Sequence, residues 1–199
     1  MLISASFLLR HQVKIEGSPI EGAFPEGLEV ANLSAMPRHY TFDAAMCIQG
    51  LLDLYIITKE EPLLNSAINA GNWLLSMQES SGNFLSYFNE DSGKKEHPGS
   101  YFHLDSGCLH AKHAIALLKL FNVTQDERFK IAAIKVCDWV LELQDEDGAF
   151  WVNESRSYVY SHAHCYATEG LLFAFDQMKT PSYSLAIDKA TMWLQDNII

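Results

Sequence analysis

One motif, repeated at a fixed interval, limits what this chain can become. Phe7-Leu8-Leu9-x-x-Gln12 recurs as Trp73-Leu74-Leu75-x-x-Gln78 and as Trp139-Val140-Leu141-x-x-Gln144, 66 residues apart both times. Each glutamine is followed by Gly-x-Phe: Gly22-Ala23-Phe24, Gly82-Asn83-Phe84 and Gly148-Ala149-Phe150. A second marker, Gly50-Leu51-Leu52, Ala116-Leu117-Leu118 and Gly170-Leu171-Leu172, lies 23 residues before Trp73, Trp139 and Trp193 in turn. Trp193 therefore opens a fourth copy, in which Ile198 stands where the glutamine is expected. Such self-similarity is the signature of repeat architectures, in which each unit buries its apolar face against its neighbours.

Within a repeat the periodicity is helical. Phe129, Ala132, Val136, Val140 and Leu143 form one apolar face, with Lys130, Lys135, Asp138 and Glu142 away from it. The stretch from Leu109 to Phe121 is apolar on every side, as are 43–57 and 163–177, so these helices are enclosed. Each repeat thus reads as an inner, buried helix followed by an outer, half-exposed one. Helices are expected near 2–12, 43–57, 63–78, 106–121, 127–144, 163–177 and 184–196, with essentially no sheet. The chain is expected to be one domain over 1–199, with repeats at about 1–24, 41–90, 104–154 and 162–199.

Inner-to-outer links are short, and Pro62 and Pro181 suit the first turn of an outer helix. Outer-to-inner links, about 17–41, 83–104 and 149–161, are long, and antiparallel hairpins gather them at one end. Long loops in a compact domain usually carry function. These hold 11 of the 23 aromatic residues, which marks that end as the candidate binding face.

Composition excludes several classes of partner. The net charge is −11, which disfavours nucleic acid. No apolar run approaches the ~20 residues of a membrane span. Residues 1–9 are apolar but lack a basic leader and a small-residue cleavage site, so they read as a helix and the protein as cytoplasmic. Four cysteines are too few for a disulfide scaffold, and reduced, buried thiols are expected for most of them.

Alternating inner and outer helices, the W-L-L-x-x-Q motif and the G-x-F turn resemble the six-hairpin (α/α) toroid superfamily. That superfamily includes unsaturated glucuronyl hydrolases, other six-hairpin glycosidases and sugar epimerases. The stretches Asp43 to Gln78 and Asp105 to Gln144 each resemble one of its hairpins, and His162 to Leu172 resembles the start of a third. The resemblance implies an all-α toroid-like array with a sugar-binding cleft at the long-loop end. It also implies hydrolysis or epimerisation of a sugar or uronic acid, with no metal or cofactor. Six hairpins make a full toroid. Seven helices make about three and a half, so a homo-oligomer or completion by another chain is expected. A non-catalytic helical-repeat scaffold binding a protein or glycan on the same face is the alternative.

Carbohydrate sites need aromatic faces for pyranose rings and carboxylates for proton transfer. Asp43 and Asp105 stand at inner-helix starts, where aspartate also serves as a cap. His162 and His164 open the third inner helix and could transfer protons near neutral pH. These four are the candidate catalytic residues. The candidate binding residues are His39, Tyr40, His103, Trp151 and Tyr160, with Arg38 and Arg156 placed to meet a uronate carboxylate. Cys108-x-His110 and His162-x-His164-Cys165 offer zinc-type ligands, but residues two apart diverge by about 200° on a helix, so no metal site is expected. The repeated tryptophans and glutamines read as structural, with Gln closing the outer-helix end and tying the Gly turn.

Overall fold

The recurring apolar stripes become a two-layer arc of helices. A computed structural model of the chain describes residues 3–96, 107–152, 156 and 158–197. Its helices are α1 (Ile3–His11), α2 (Thr41–Thr58), α3 (Glu61–Ser76), α4 (Ala111–Thr124), α5 (Glu127–Leu141), α6 (Ser161–Met178) and α7 (Pro181–Asn197). A single 3-10 turn, Cys108–His110, leads into α4, which therefore starts later than its apolar pattern does. The inner helices α2, α4 and α6 pack side by side, and α3, α5 and α7 each pack on the helix before them. α1 packs on α3, and the whole is an all-α toroid-like array of hairpins.

Burial follows the two periodicities. α4 buries Ala111, His113, Ala114, Ile115, Ala116, Leu117, Leu118 and Leu120. α5 buries one face, Phe129, Ala132, Ala133, Val136, Cys137, Trp139 and Val140. α2 has 18 residues and a mean hydropathy of 1.2, long and apolar enough by those measures to cross a membrane. Here it is an inner helix packed between α3 and α4.

The repeat extends to the helix ends. Lys59, Gln125 and Lys179 close α2, α4 and α6 in the left-handed conformation, with φ of 58, 59 and 56°. Each donates its backbone N–H to the carbonyl four residues back, on Tyr55, Phe121 and Phe175. Such a left-handed closure satisfies carbonyls left open by the last turn.

The glutamines bind one repeat to the next. Gln12 Nε2 donates to Gly22 O at 2.9 Å and to Ser66 O, in α3, at 2.8 Å. Gln78 Nε2 donates to Gly82 O and to Ala132 O, in α5, both at 2.9 Å. Gln144 Nε2 donates to Gly148 O at 3.1 Å and to Ala186 O, in α7, at 2.8 Å. The turn glycines have φ of 89, 104 and 99° and press on the same outer helices. A Cβ on Gly22, Gly82 or Gly148 would lie 2.2–2.4 Å from the carbonyl oxygen of Asn69, Lys135 or Lys189. Phe24, Phe84 and Phe150 are buried beneath the turns. Ile198, at the fourth glutamine position, lies outside the described residues.

The long loops contain a small antiparallel sheet that the hydrophobic pattern does not announce. Its strands are β1 (Arg38–Tyr40), β2 (Tyr87–Asn89) and β3 (Lys94–Glu96), in the order β1-β2-β3. His39 pairs with Phe88 in the β1–β2 register. Thr41 fixes this sheet to α2, its Oγ1 donating to Leu85 O at 3.0 Å. The first two long loops are thereby joined at the inner-helix N-termini.

Candidate functional site

The inner-helix starts correspond through spacings of 66 and then 54 residues, the second shorter because the third long loop is shorter. Met46, Lys112 and Tyr166 share one position, and Gln49, Ile115 and Glu169 share the next turn. From the loop before α6, from α6 and from α2, the structure assembles a row of rings. Tyr158 and Tyr160 lie 4.9 Å apart, Tyr160 and His162 are stacked at 5.5 Å, and His162 and Tyr166 are 6.2 Å apart. Tyr166 then meets Phe42 of α2 at 5.6 Å. Tyr160, 41% exposed, and His162 are the accessible end of the row.

Lys112 and Glu169 lie beside the row. Lys112 Nζ is 2.7 Å from Glu169 Oε2 and 5.0 Å from the centroid of the Tyr166 ring. Further along the inner wall, Lys119 Nζ meets Asp53 Oδ1 at 2.6 Å. Between them lies a groove of about 360 Å³, lined by Gln49, Ile115, Lys119, Glu169, Phe173 and Asp176 among others.

Those of the expected site residues that are described lie in several places. His162 and Tyr160 belong to the row. His164, two residues on, points into the core and is buried. Its Nδ1 accepts from the Phe150 N–H at 3.0 Å, so its Nε2–H donates to Ala190 O, also at 3.0 Å. Burial holds it neutral, its pKa lowered from the ordinary value. With both nitrogens engaged and no exposed surface, His164 ties a Gly turn to α7. His39 is likewise buried, its Nδ1 donating to Phe24 O at 3.0 Å and its Nε2 2.7 Å from Glu90 Oε1.

Asp43 occupies the first turn of α2, where a negative charge complements the helix dipole, while the cap position itself is Tyr40. Its side chain lines a cavity of about 210 Å³ with Phe7, Leu8, His11, Phe24 and Cys47, on the α1 side of the arc. By the repeat spacing Asp43 corresponds to Leu109, so Asp43 and Asp105 are not equivalent positions. Asp105 and His103 lie outside the described residues.

Tyr40 and Arg38 face the sheet's aromatic side. Arg38 donates to Tyr40, which raises the guanidinium pKa, and lies 5.7 Å from the Tyr87 ring centroid. Burial raises the Tyr40 hydroxyl. Trp151 is half-buried, and its indole N–H is buried without a hydrogen-bond partner. Arg156 is exposed and donates to Glu142 O at 3.2 Å. Cys108 and Cys137 are buried thiols, Cys47 is half-buried and Cys165 exposed. Burial pushes Cys108 up to about 12, which disfavours the thiolate a metal would need. Among the described residues no group of three potential ligands is close enough to hold a metal ion.

Phe42, Lys112, Tyr166 and Glu169 were not among the residues expected from sequence. Their signal is present in it, because carrying the 66- and 54-residue spacings onto the inner helices places Lys112 and Tyr166 at one repeat position.

Comparison with known proteins gives a consistent fold. No family model and no curated protein sequence matches the chain. Among solved structures it is similar to cellobiose 2-epimerase from Spirochaeta thermophila, at 15% identity and a TM-score of 0.76, covering 97% of this chain and 50% of that one. It is similar to a possible member of glycoside hydrolase family 105 from Salmonella enterica, at 12% identity and a TM-score of 0.75, covering 98% and 52%. A sugar epimerase from a ruminal bacterium aligns at 10% identity and a TM-score of 0.73, covering 96% and 51%. The chain has the six-hairpin (α/α) toroid fold in part, and it spans about half the length of the structures it matches.

Proposed function

We propose that this chain supplies one half of a carbohydrate-binding cleft, and that the sugar sits at the inner-helix N-termini against the ring row Tyr160–His162–Tyr166. The observation that carries this is the row itself, with an accessible stacked Tyr–His pair beside a Lys–Glu pair. An aromatic face takes the C–H side of a pyranose, and charged donors and acceptors take its hydroxyls. The similar structures, by name sugar epimerases and a possible member of a glycoside hydrolase family, support the same substrate class.

The proposed chemistry is hydrolysis or epimerisation by proton transfer, without a metal. His162 is the proposed acid–base group from the row. Asp43 and Asp105 are the proposed carboxylates, and Trp151, His103 and Arg156 are further proposed binding residues. The facing wall of the cleft comes from a second copy, another chain or further hairpins of the same polypeptide. The test is proton NMR of the purified protein with cellobiose or mannobiose in D2O. Deuterium incorporation at C2 of the reducing sugar indicates epimerisation, and release of monosaccharide indicates hydrolysis. His162→Ala is expected to lower either rate by about 10²–10⁴-fold. Saturable sugar binding with no turnover favours a glycan-binding scaffold, and no binding at all overturns the proposal.

A further inference from the structure

The distribution of cations narrows the sugar, given the sugar-binding site proposed above. All 14 lysines and arginines lie among the described residues. Among these cations, Lys112 is the one whose charge lies over a ring of the row, that of Tyr166. Its side chain is largely enclosed, and its charge is already matched by Glu169 at 2.7 Å. Arg38 is engaged by Tyr40 and Tyr87, Arg156 by the Glu142 carbonyl, Lys95 by the Ser76 carbonyl and Lys119 by Asp53. Lys94 stands exposed at the start of β3. The groove beyond the row adds Asp176 to Glu169.

We propose that this face recognises an uncharged pyranose and rejects a uronate, with Glu169 as the residue that sets the choice. An ammonium and a carboxylate held together match adjacent sugar hydroxyls, one oxygen accepting from Lys112 and one O–H donating to Glu169. A uronate carboxylate brought to Lys112 would lie against the Glu169 carboxylate and meet like-charge repulsion in a partly desolvated place. Specificity of this kind rests on a repulsive element as much as on an attractive one. Glu169 is also more exposed than Lys112, so neutralising it removes a charge without opening the core.

The experiment is calorimetric titration of the purified protein with cellobiose and with cellobiouronic acid, which differ only in the carboxylate. The native protein is expected to bind the acid at least about tenfold more weakly. In Glu169→Gln the uncompensated Lys112 is expected to shift the acid-to-neutral affinity ratio by about tenfold or more towards the acid, an effect that weakens with added salt. Tyr160→Ala is expected to weaken both ligands alike. Equal or tighter binding of the acid by the native protein, or an unchanged ratio in Glu169→Gln, overturns this inference and leaves the sugar site standing. Binding of neither ligand to the folded native protein overturns the sugar site and this inference with it.

Discussion

At the scale of single residues, the repeat glutamines and two buried histidines carry testable weight. Each Gln Nε2 bridges a turn carbonyl and the next outer helix, so removing the amide leaves two carbonyls without that donor. Gln78→Ala is expected to destabilise the fold by about 1–3 kcal/mol, and Gly82→Ala, forced into positive φ against Lys135 O, by a similar amount. Urea unfolding followed by circular dichroism measures both. His113 is buried and stacked on Phe84 at 4.7 Å, its Nδ1–H donating to His110 O at 3.0 Å while its Nε2 has no partner. Burial lowers its pKa to about 3, and the pKa of His164 is lowered too. The unfolded chain therefore binds more protons than the folded one below about pH 6.5. The stability these groups contribute is full above that value and falls on acidification, for His113 by about 1.4 kcal/mol per pH unit down to about pH 3. Replacing His113 with Phe is expected to flatten the acid side of a plot of unfolding free energy against pH, and an unchanged slope would show that His113 does not titrate this way.

At the scale of elements, the decisive feature is how the inner helices begin. α6 starts at Ser161 and delivers exposed His162 and buried His164 to opposite sides, because residues two apart on a helix diverge by about 200°. The third long loop adds Tyr158 and Tyr160 just before that start, while α2 is positioned by the sheet through Thr41 and Ser86. Tyr160→Ala is expected to weaken sugar binding about tenfold, which corresponds to loss of one stacking contact of roughly 1.4 kcal/mol. The melting temperature should barely move, since the ring is exposed. A fall in both would mean that Tyr160 is holding the loop rather than the ligand.

At the scale of the whole molecule, the arc has two open edges. Gly170 lets α6 close on α4, since a Cβ there would lie 2.2 Å from the Ala111 carbonyl oxygen. Gly50 holds the same position in α2, and a Cβ there would meet nothing within 4 Å. That side of α2 thus carries a residue suited to close helix approach, facing open space. Exposed apolar residues accompany both edges: Ile3, Phe7 and Ile57 on α1 and α2, and Leu172, Leu185 and Met192 on α6 and α7. Trp193 is half-buried, its ring 4.8 Å from that of His164. Apolar edges of this kind are expected to be covered. Sedimentation at micromolar concentration is expected to show association, and Gly50→Leu to weaken it without lowering the melting temperature. A monodisperse monomer in both would mean that the edges are stable as they stand.

The spacing of the Trp, Gln and Gly-x-Phe motifs determined the hairpin order, the inner and outer layers and the structural task of the glutamines. These features were legible because a helix's burial repeats every 3.6 residues and leaves its mark on each copy. The same spacing also contained the equivalence of Lys112 and Tyr166. Which side of α6 each histidine faces, and which cation already has a partner, were decided only by tertiary structure. His162 and His164 look alike in sequence, but one meets Tyr160 and the other meets the Phe150 amide and the Ala190 carbonyl. The β1–β2–β3 sheet was hidden for a related reason. Three-residue strands are too short to show an alternating pattern, and their pairing depends on loops brought together by the helices beneath them.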